Sequence, residues 1–386
     1  MSIETGYCTN VHAGPDLAQT QANLLEHALA VKRSFSPEQT MGIGLWLAAP
    51  AAAQLQDPAE LESFKAWLAE QQLHPFTLNG FPYGNFHQEV VKHDVYLPTW
   101  MDPARQVYTD NLVTVLDQLL PDGCQGSIST LPICWGTPRP STAELDQAAD
   151  HLLAIASRLA RLESESGRLI YICLEPEPGC VLERGDDVVQ FFQQHLLPRG
   201  NEHEVLRYLR VCHDVCHSAV MFEGQADVLA MFQAAGIRVG KVQVSAAVEA
   251  RLEQLEPDQR VLAMEQLAGF AEHRYLHQTS IRSADGTIRF YQDLSEALEQ
   301  VGDASQLNET WCTHFHVPIY LSDFGQLHTS QPQILECLEF CREDSDLIHY
   351  EVETYAWTVL PESLQQPSLA DGIAREMQWF AELAGC

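Results

Sequence analysis

Residues 169–179, "LIYICLEPEPG", decide how the chain is read. An unbroken apolar run rich in isoleucine suits a strand buried on both faces, the kind found in parallel sheets. The run closes on Glu175 and Glu177, each followed by proline, and in a continued strand both would share one face. Pro176 has no N–H to give to a ladder, so the strand is expected to end at Glu175 and Glu177 to belong to the following loop. A carboxylate at that position matters because the reactive side chains of a (β/α)8 barrel sit at the C-terminal ends of its strands, where the loops converge.

Seven further β-prone runs lie on either side of this one: "GYCTNVH" (6–12), "MGIGLWL" (41–47), "PFTLNG" (75–80), "GSISTLP" (126–132), "RVCHDVCH" (210–217), "RVGKVQVS" (238–245) and "IHYEVETYAW" (348–357). Amphipathic stretches separate them and carry helix-start signals. Asp57 precedes Pro58 as cap and first helical residue, and Ser141 with Glu144 forms a capping-box pattern. Strands alternating with helices predict an α/β chain folded as a (β/α)8 barrel. The competing open doubly wound sheet lacks support, since no strand is followed by G-x-G-x-x-G or a phosphate-binding P-loop. About 100 residues break the rhythm before the last strand, at about 250–330. There, Asp285-Gly286 separates two β-prone segments and predicts an inserted hairpin. "THFHVPIY" is either part of that excursion or a barrel strand. Residues 1–386 are read as one domain carrying the insertion.

Composition excludes several partners. With 53 acidic against 22 basic residues and a formal charge of -31, no stripe of Lys and Arg can track phosphates, so nucleic acid and anionic membranes are not expected to bind. "MGIGLWLAAPAAAQL" is too short to span a bilayer, and the N-terminus shows no secretory pattern, giving a cytoplasmic expectation. The 11 cysteines are scattered without C-x-x-C and read as buried, reduced thiols.

The strand ends carry the chemistry. Glu175 and Glu177 close the fifth predicted strand, Asp214 and His217 the sixth, and Glu351 and Glu353 lie on the last. His314 and His316 alternate on one face of a further β segment. Any one of these is more often a salt-bridge, capping or hydrogen-bonded core residue. Together, carboxylates and imidazoles from separate strand ends make a mixed O/N site for a divalent ion, with Mn, Zn, Co and Mg all compatible. Lys241 shares a face with Gln243 and could meet a ligand phosphate or carboxylate, a solvated rim lysine being the alternative. Asn79 and His12 end the third and first strands and could bind substrate hydroxyls. Phe81, Tyr83, Tyr355 and Trp357 could stack on a ring, or simply pack the barrel.

In order along the chain, a Glu ending strand five, D-x-x-H ending strand six, a late His and a final-strand Glu resemble the xylose-isomerase-like TIM-barrel superfamily. The strings "GYCTNVH", "FTLNGFPYG", "GSISTLP", "CLEPEPG", "DVCH", "GIRVGKVQVS", "YLHQ", "HFHVP" and "EVETYAW" resemble the EboE family of the bacterial Ebo cluster, described as metabolite traffic proteins, over nearly the whole chain. The resemblance implies that Glu175, Asp214 and Glu353 hold the metal, with His217 beside it or on substrate. It also implies a small-molecule metabolite as ligand and other Ebo-cluster proteins as partners. Where sugar epimerases place a ligand His on strand seven this chain has Gln243, so either Gln243 or His316 completes the set. The leading expectation is a metal-dependent isomerase or epimerase acting on a sugar, cyclitol or phosphate of these, with Glu175 and Glu353 moving the proton. A metal-dependent phosphoester hydrolase and a non-catalytic metabolite carrier are the alternatives.

Overall fold

Eight parallel strands close into a barrel in the computed structural model, which describes residues 3–85, 87–342, 344–364, 366 and 368–385. The first seven in the chain are β1 (Glu4–Cys8), β2 (Met41–Trp46), β3 (Leu73–Asn79), β4 (Gln125–Thr130), β5 (Leu169–Leu174), β6 (Leu209–Asp214) and β7 (Val239–Val244). Six strands of a second sheet follow: β8 (Val248–Arg251), β9 (Thr279–Ser283), β10 (Ile288–Tyr291), β11 (Glu309–Thr313), β12 (Asp323–Phe324) and β13 (Leu327–Thr329). The chain then returns to the barrel as β14 (His349–Val352), which pairs with both β7 and β1 and closes it. Each of the eight barrel strands overlaps its predicted run, with β1, β3, β4 and β6 beginning one or two residues before it.

Three predicted strands stop early, and each has a local cause. After β1, Thr9–Val11 turn as a 3-10 helix, so His12 is not at the strand end. After β6, Asp214 accepts the N–H of His217 at 2.9 Å and caps the helix Val215–Val220, which carries His217 off the strand. After β14, Tyr355–Val359 form another 3-10 turn. The helix signals act as expected. Asp57 caps Pro58–Glu70, and Ser141 with Glu144 completes the capping box of Thr142–Ser166, a helix that ends on Gly167 at φ 73°.

The barrel interior holds a buried ion pair. Lys241 Nζ lies 2.5 Å from Glu351 Oε2, and both side chains are inaccessible to solvent. Gly44 makes room for it, since a Cβ there would fall 1.3 Å from Glu351 Oε1. Lys241 is therefore neither a rim residue nor one that faces the cavity described below. Burial alone would lower its pKa, but the Glu351 carboxylate outweighs that and raises it.

The inserted segment is antiparallel throughout, in the order β10-β9-β11-β8-β13-β12. The expected hairpin is β9–β10, with Gly286 at φ 86° and Asp285 Oδ1 accepting the N–H of Thr287 at 2.9 Å. "THFHVPIY" belongs to this excursion and is not a barrel strand: Thr313 ends β11, and the chain is irregular beyond it. Val317 N–H donates to Ala246 O (3.0 Å) and Ser330 N–H to Ala247 O (3.0 Å), which pins the sheet to the C-terminal end of β7. Across the mouth, buried Arg105 donates to Gly80 O, Phe81 O and Pro98 O, fixing the loop that follows β3. Every described cysteine is unpaired and all but Cys124 are buried. No helix among the described residues is long and apolar enough to cross a membrane.

Candidate metal centre

The cavity at the C-terminal end of the barrel holds about 590 Å³ of atom-free space, its open mouth included. Three carboxylates come together at its floor. Glu175, Asp214 and Glu353 each place an oxygen within 4.8 Å of the other two, and all three residues are buried. The ladder sets their positions: Glu175 N–H donates to Thr130 O (3.0 Å) and Glu353 N–H to Val244 O (3.1 Å), one step past β5 and β14, while Asp214 is the last residue of β6.

Their protonation follows from crowding. Burial, then Glu353 and Asp214, push Glu175 well above the usual carboxylate range. Burial and the neighbouring Asp214 and Glu351 push Glu353 up to about 8. Asp214 shifts the other way. Burial opposes its charge, but His217, His316, the His217 N–H and the Ser245 hydroxyl (2.8 Å) hold it below its ordinary value. Glu175 Oε2 and Asp214 Oδ2 have no hydrogen-bond partner. A buried carboxylate oxygen without a donor is costly, and a shared cation removes that cost.

Imidazoles line the adjoining wall. His217 Nδ1 meets Pro176 O at 2.8 Å and His316 Nδ1 meets Glu353 O at 2.8 Å. A carbonyl only accepts, so both Nδ1 atoms carry hydrogen and each ring turns its Nε2 elsewhere. Each of those Nε2 atoms lies 3.9 Å from Asp214 Oδ2. His314 is held likewise: its Nδ1 donates to Gln278 Oε1 (2.8 Å), and Gln278 is oriented by giving its Nε2 hydrogens to Glu177 Oε1 (3.0 Å) and Tyr96 OH (3.0 Å). Burial keeps His314 and His316 neutral by lowering both, His316 to about 4. Their Nε2 atoms face each other at 3.2 Å, an arrangement of two lone pairs that a cation or a shared proton would stabilise. Three further ligand groupings result: Asp214 with His217 and His316, Glu177 with His217 and His314, and Cys216 with His314 and His316.

The residues singled out in the sequence separate into two sets. Glu175, Asn79, His217, His316 and Glu353 line the cavity; Asp214 lies at its floor among them. Gln243 is aligned with Asp214 and Glu351 on neighbouring strands, is buried, and has no partner for either amide atom. His12 is elsewhere: it bonds Tyr7 OH (3.1 Å) and stacks on His27 at 4.4 Å in a small separate cavity. Trp357 is also elsewhere, its Nε1–H on Glu376 Oε2 (3.1 Å) and its ring covering Gly372. Neither side chain lines the main cavity. Asn10 occupies the place expected of His12, donating to Glu353 Oε1 at 2.5 Å. It was legible in principle, as the loop residue just past a strand ending at Cys8. Tyr96 ends a short 3-10 turn, Lys92–Tyr96, and Gln278 comes from an irregular segment, neither with a periodicity to mark it. Glu177 belongs to the loop, as expected, and Tyr96 OH donates to it at 2.8 Å.

No family model and no curated protein matches the chain. Among solved structures it is similar to the probable 3-DHS dehydratase AsbF involved in petrobactin synthesis from Bacillus anthracis, with a TM-score of 0.50 and 13% identity over 98% of this chain and 99% of that one. It is similar also to a xylose isomerase domain protein from Planctomyces limnophilus, with a TM-score of 0.50 and 12% identity over 100% and 99%. A third, the IOLI protein with a binding zinc atom, has a TM-score of 0.48 and 10% identity over 99% and 98%. At such identities the likeness speaks for architecture alone, a closed barrel of eight parallel strands ringed by helices.

Proposed function

We propose that the chain is a metal-dependent isomerase or epimerase-like protein that moves a proton at the carbon beside a carbonyl of a small metabolite. The observation that supports this most is the buried Glu175–Asp214–Glu353 group with two unpartnered oxygens. Those three residues would hold a divalent ion of the Mn, Zn, Co or Mg class, with His316 giving the nitrogen that Gln243 does not, and Gln243 Oε1 as the neighbouring alternative. Such an ion supplies a fixed positive charge that polarises a ligand oxygen.

The chain's own residues do the rest. Glu175 and Glu353 belong to barrel positions separated by β6 and β7, so they approach a ligand from two directions, and one can take a proton that the other returns. Asp214 stays ionised through Ser245 and the His217 N–H. Asn10 and Asn79 orient Glu353 through its Oε1, at 2.5 and 3.4 Å. The sequence likeness to the EboE family adds Ebo-type metabolite biosynthesis or traffic as the setting. Elemental analysis of purified protein should find a divalent transition metal, diminished in Glu175→Gln and Asp214→Asn. Incubating the loaded protein with hydroxy-ketones in deuterated water should place deuterium beside the carbonyl. Tight binding without exchange would make it a carrier, and absence of metal after metal-replete growth would overturn the reading.

The adjoining imidazole groupings favour a second reading, a phosphoester hydrolase with clustered ions. More than one ion per chain together with hydrolysis of a model phosphodiester would select it.

A further inference from the structure

The floor and mouth of the cavity differ in what they offer a ligand. At the floor Glu175 Oε2, Asp214 Oδ2 and Asn10 Oδ1 are open acceptors, while the neighbouring donors are engaged. Asn10 and Asn79 donate to Glu353, and the Tyr96 hydroxyl donates to Glu177. At the mouth, Lys92 is the one cationic side chain among the described lining residues, and its ammonium is 2.5 Å from Asp293, buried on the insertion. The Tyr275 hydroxyl lies 3.4 Å from His87 Nδ1. The imidazoles His217, His314 and His316 line one part of the space, and Phe81, Pro82, Val91, Val95, Leu276 and Tyr355 supply an apolar part.

A sugar or cyclitol that chelates a floor-bound ion through two of its oxygens would press its other hydroxyls against this apolar wall, where they lose water and gain no partner. A sugar phosphate would in addition bring a dianion to a mouth whose lysine is already committed to Asp293. A flat apolar group gains from the same wall.

We infer that the substrate is a small molecule whose hydroxy-carbonyl end reaches the Glu175–Asp214–Glu353 floor and whose remaining body is an apolar ring packed against Phe81, Val91, Val95 and Tyr355, rather than a free or phosphorylated polyol. This rests on the metal-dependent reading above and narrows its substrate class.

The test compares two probes on the metal-loaded full chain by titration calorimetry: α-hydroxyacetophenone, which carries the ring, and erythrulose, which carries hydroxyls in its place. The ring-bearing probe should bind at least about tenfold tighter. Val95→Asp, at a half-buried wall position, should weaken that probe about tenfold and leave erythrulose unchanged. Val95→Asn serves the same purpose if the charged variant melts early. Equal or tighter binding of erythrulose, no response to either Val95 variant, or binding of neither probe by metal-loaded protein overturns the inference. The metal reading fails separately: a chain that takes up no metal yet still prefers the ring-bearing probe would sink the proposed chemistry and leave the substrate class standing, and a chain that takes up no metal and binds neither would sink both.

Discussion

In the barrel, Glu175, Asp214 and Glu353 reach the cavity because each is the last residue of a parallel strand or the next one along. In the inserted sheet, His314 and His316 reach it from just past the end of β11, an antiparallel strand held over the mouth by backbone bonds to Ala246 and Ala247. The barrel fixes its ligands through the main chain. The insertion adds side-chain control to its backbone bonds: each imidazole is steered by a carbonyl acceptor, with Gln278 tying His314 to Glu177 and Tyr96. The difference assigns the charge of the site to the barrel, while the insertion adds nitrogen donors and shape. Loss of a barrel carboxylate should then act as a switch, and loss of an insertion residue as an adjustment.

The largest expected effect tests the barrel half. Asp214→Asn and Glu175→Gln should each lower divalent-metal affinity by at least about 100-fold, read by elemental analysis after dialysis and by competition with a chromophoric chelator. Retention of metal in both would break the comparison at its base. Glu351→Gln separates the ion pair beneath from the site above. It leaves Lys241 buried without its carboxylate and should cost about 3–5 kcal/mol in denaturant unfolding, while the folded protein keeps its metal.

How much of this was readable divides along the same line. Strand ends such as "CLEPEPG" and "CHDVCH" could be assigned because a buried parallel strand announces itself by its apolar run and stops where a proline or a capping Asp interrupts the ladder. His217 kept its place at the site even though it sits on a helix, since the Asp214 cap turns the chain within one turn of the strand end. The insertion showed its hairpin but not its docking, which depends on contacts between residues far apart in sequence, such as Val317 with Ala246. Lys241 was misplaced because the sequence gives a strand's face and not its depth: period two sets Lys241 and Gln243 on the same side, yet Lys241 lies low enough to meet Glu351.

The pH dependence of metal uptake sharpens the barrel half further. Glu353, pushed up to about 8, holds a proton at neutrality that a cation must displace. Affinity should fall about tenfold for each pH unit below about 8 if one proton leaves. The metal-free fold has the opposite trend. Its native state keeps a proton that the unfolded chain releases near about 4.3, so its stability declines as pH rises from there towards about 8. Melting curves should show metal raising Tm more at about pH 8 than at about pH 5; an equal gain at both would mean that Glu353 is not displaced. The insertion half should respond more gently. Gln278→Leu frees His314 and removes a donor from Glu177, and is expected to weaken metal affinity about tenfold without abolishing it.

The smallest effect is expected at Trp357, whose "EVETYAW" setting pointed to the site. Its indole N–H meets Glu376 Oε2 at 3.1 Å. Glu376 is itself held by Thr354 Oγ1 (2.6 Å) and the Ile319 N–H (3.1 Å), and burial pushes its carboxyl up to about 7. Trp357→Phe deletes one of three bonds to a group that retains two, so it should cost about 1 kcal/mol of stability. Metal affinity and binding of α-hydroxyacetophenone should both stay within about twofold of wild type, because neither the carboxylates nor the apolar wall touches the indole. A larger loss of probe binding at unchanged stability would place Trp357 against the ligand, and would mean that the last barrel turn rearranges to close over an occupied cavity.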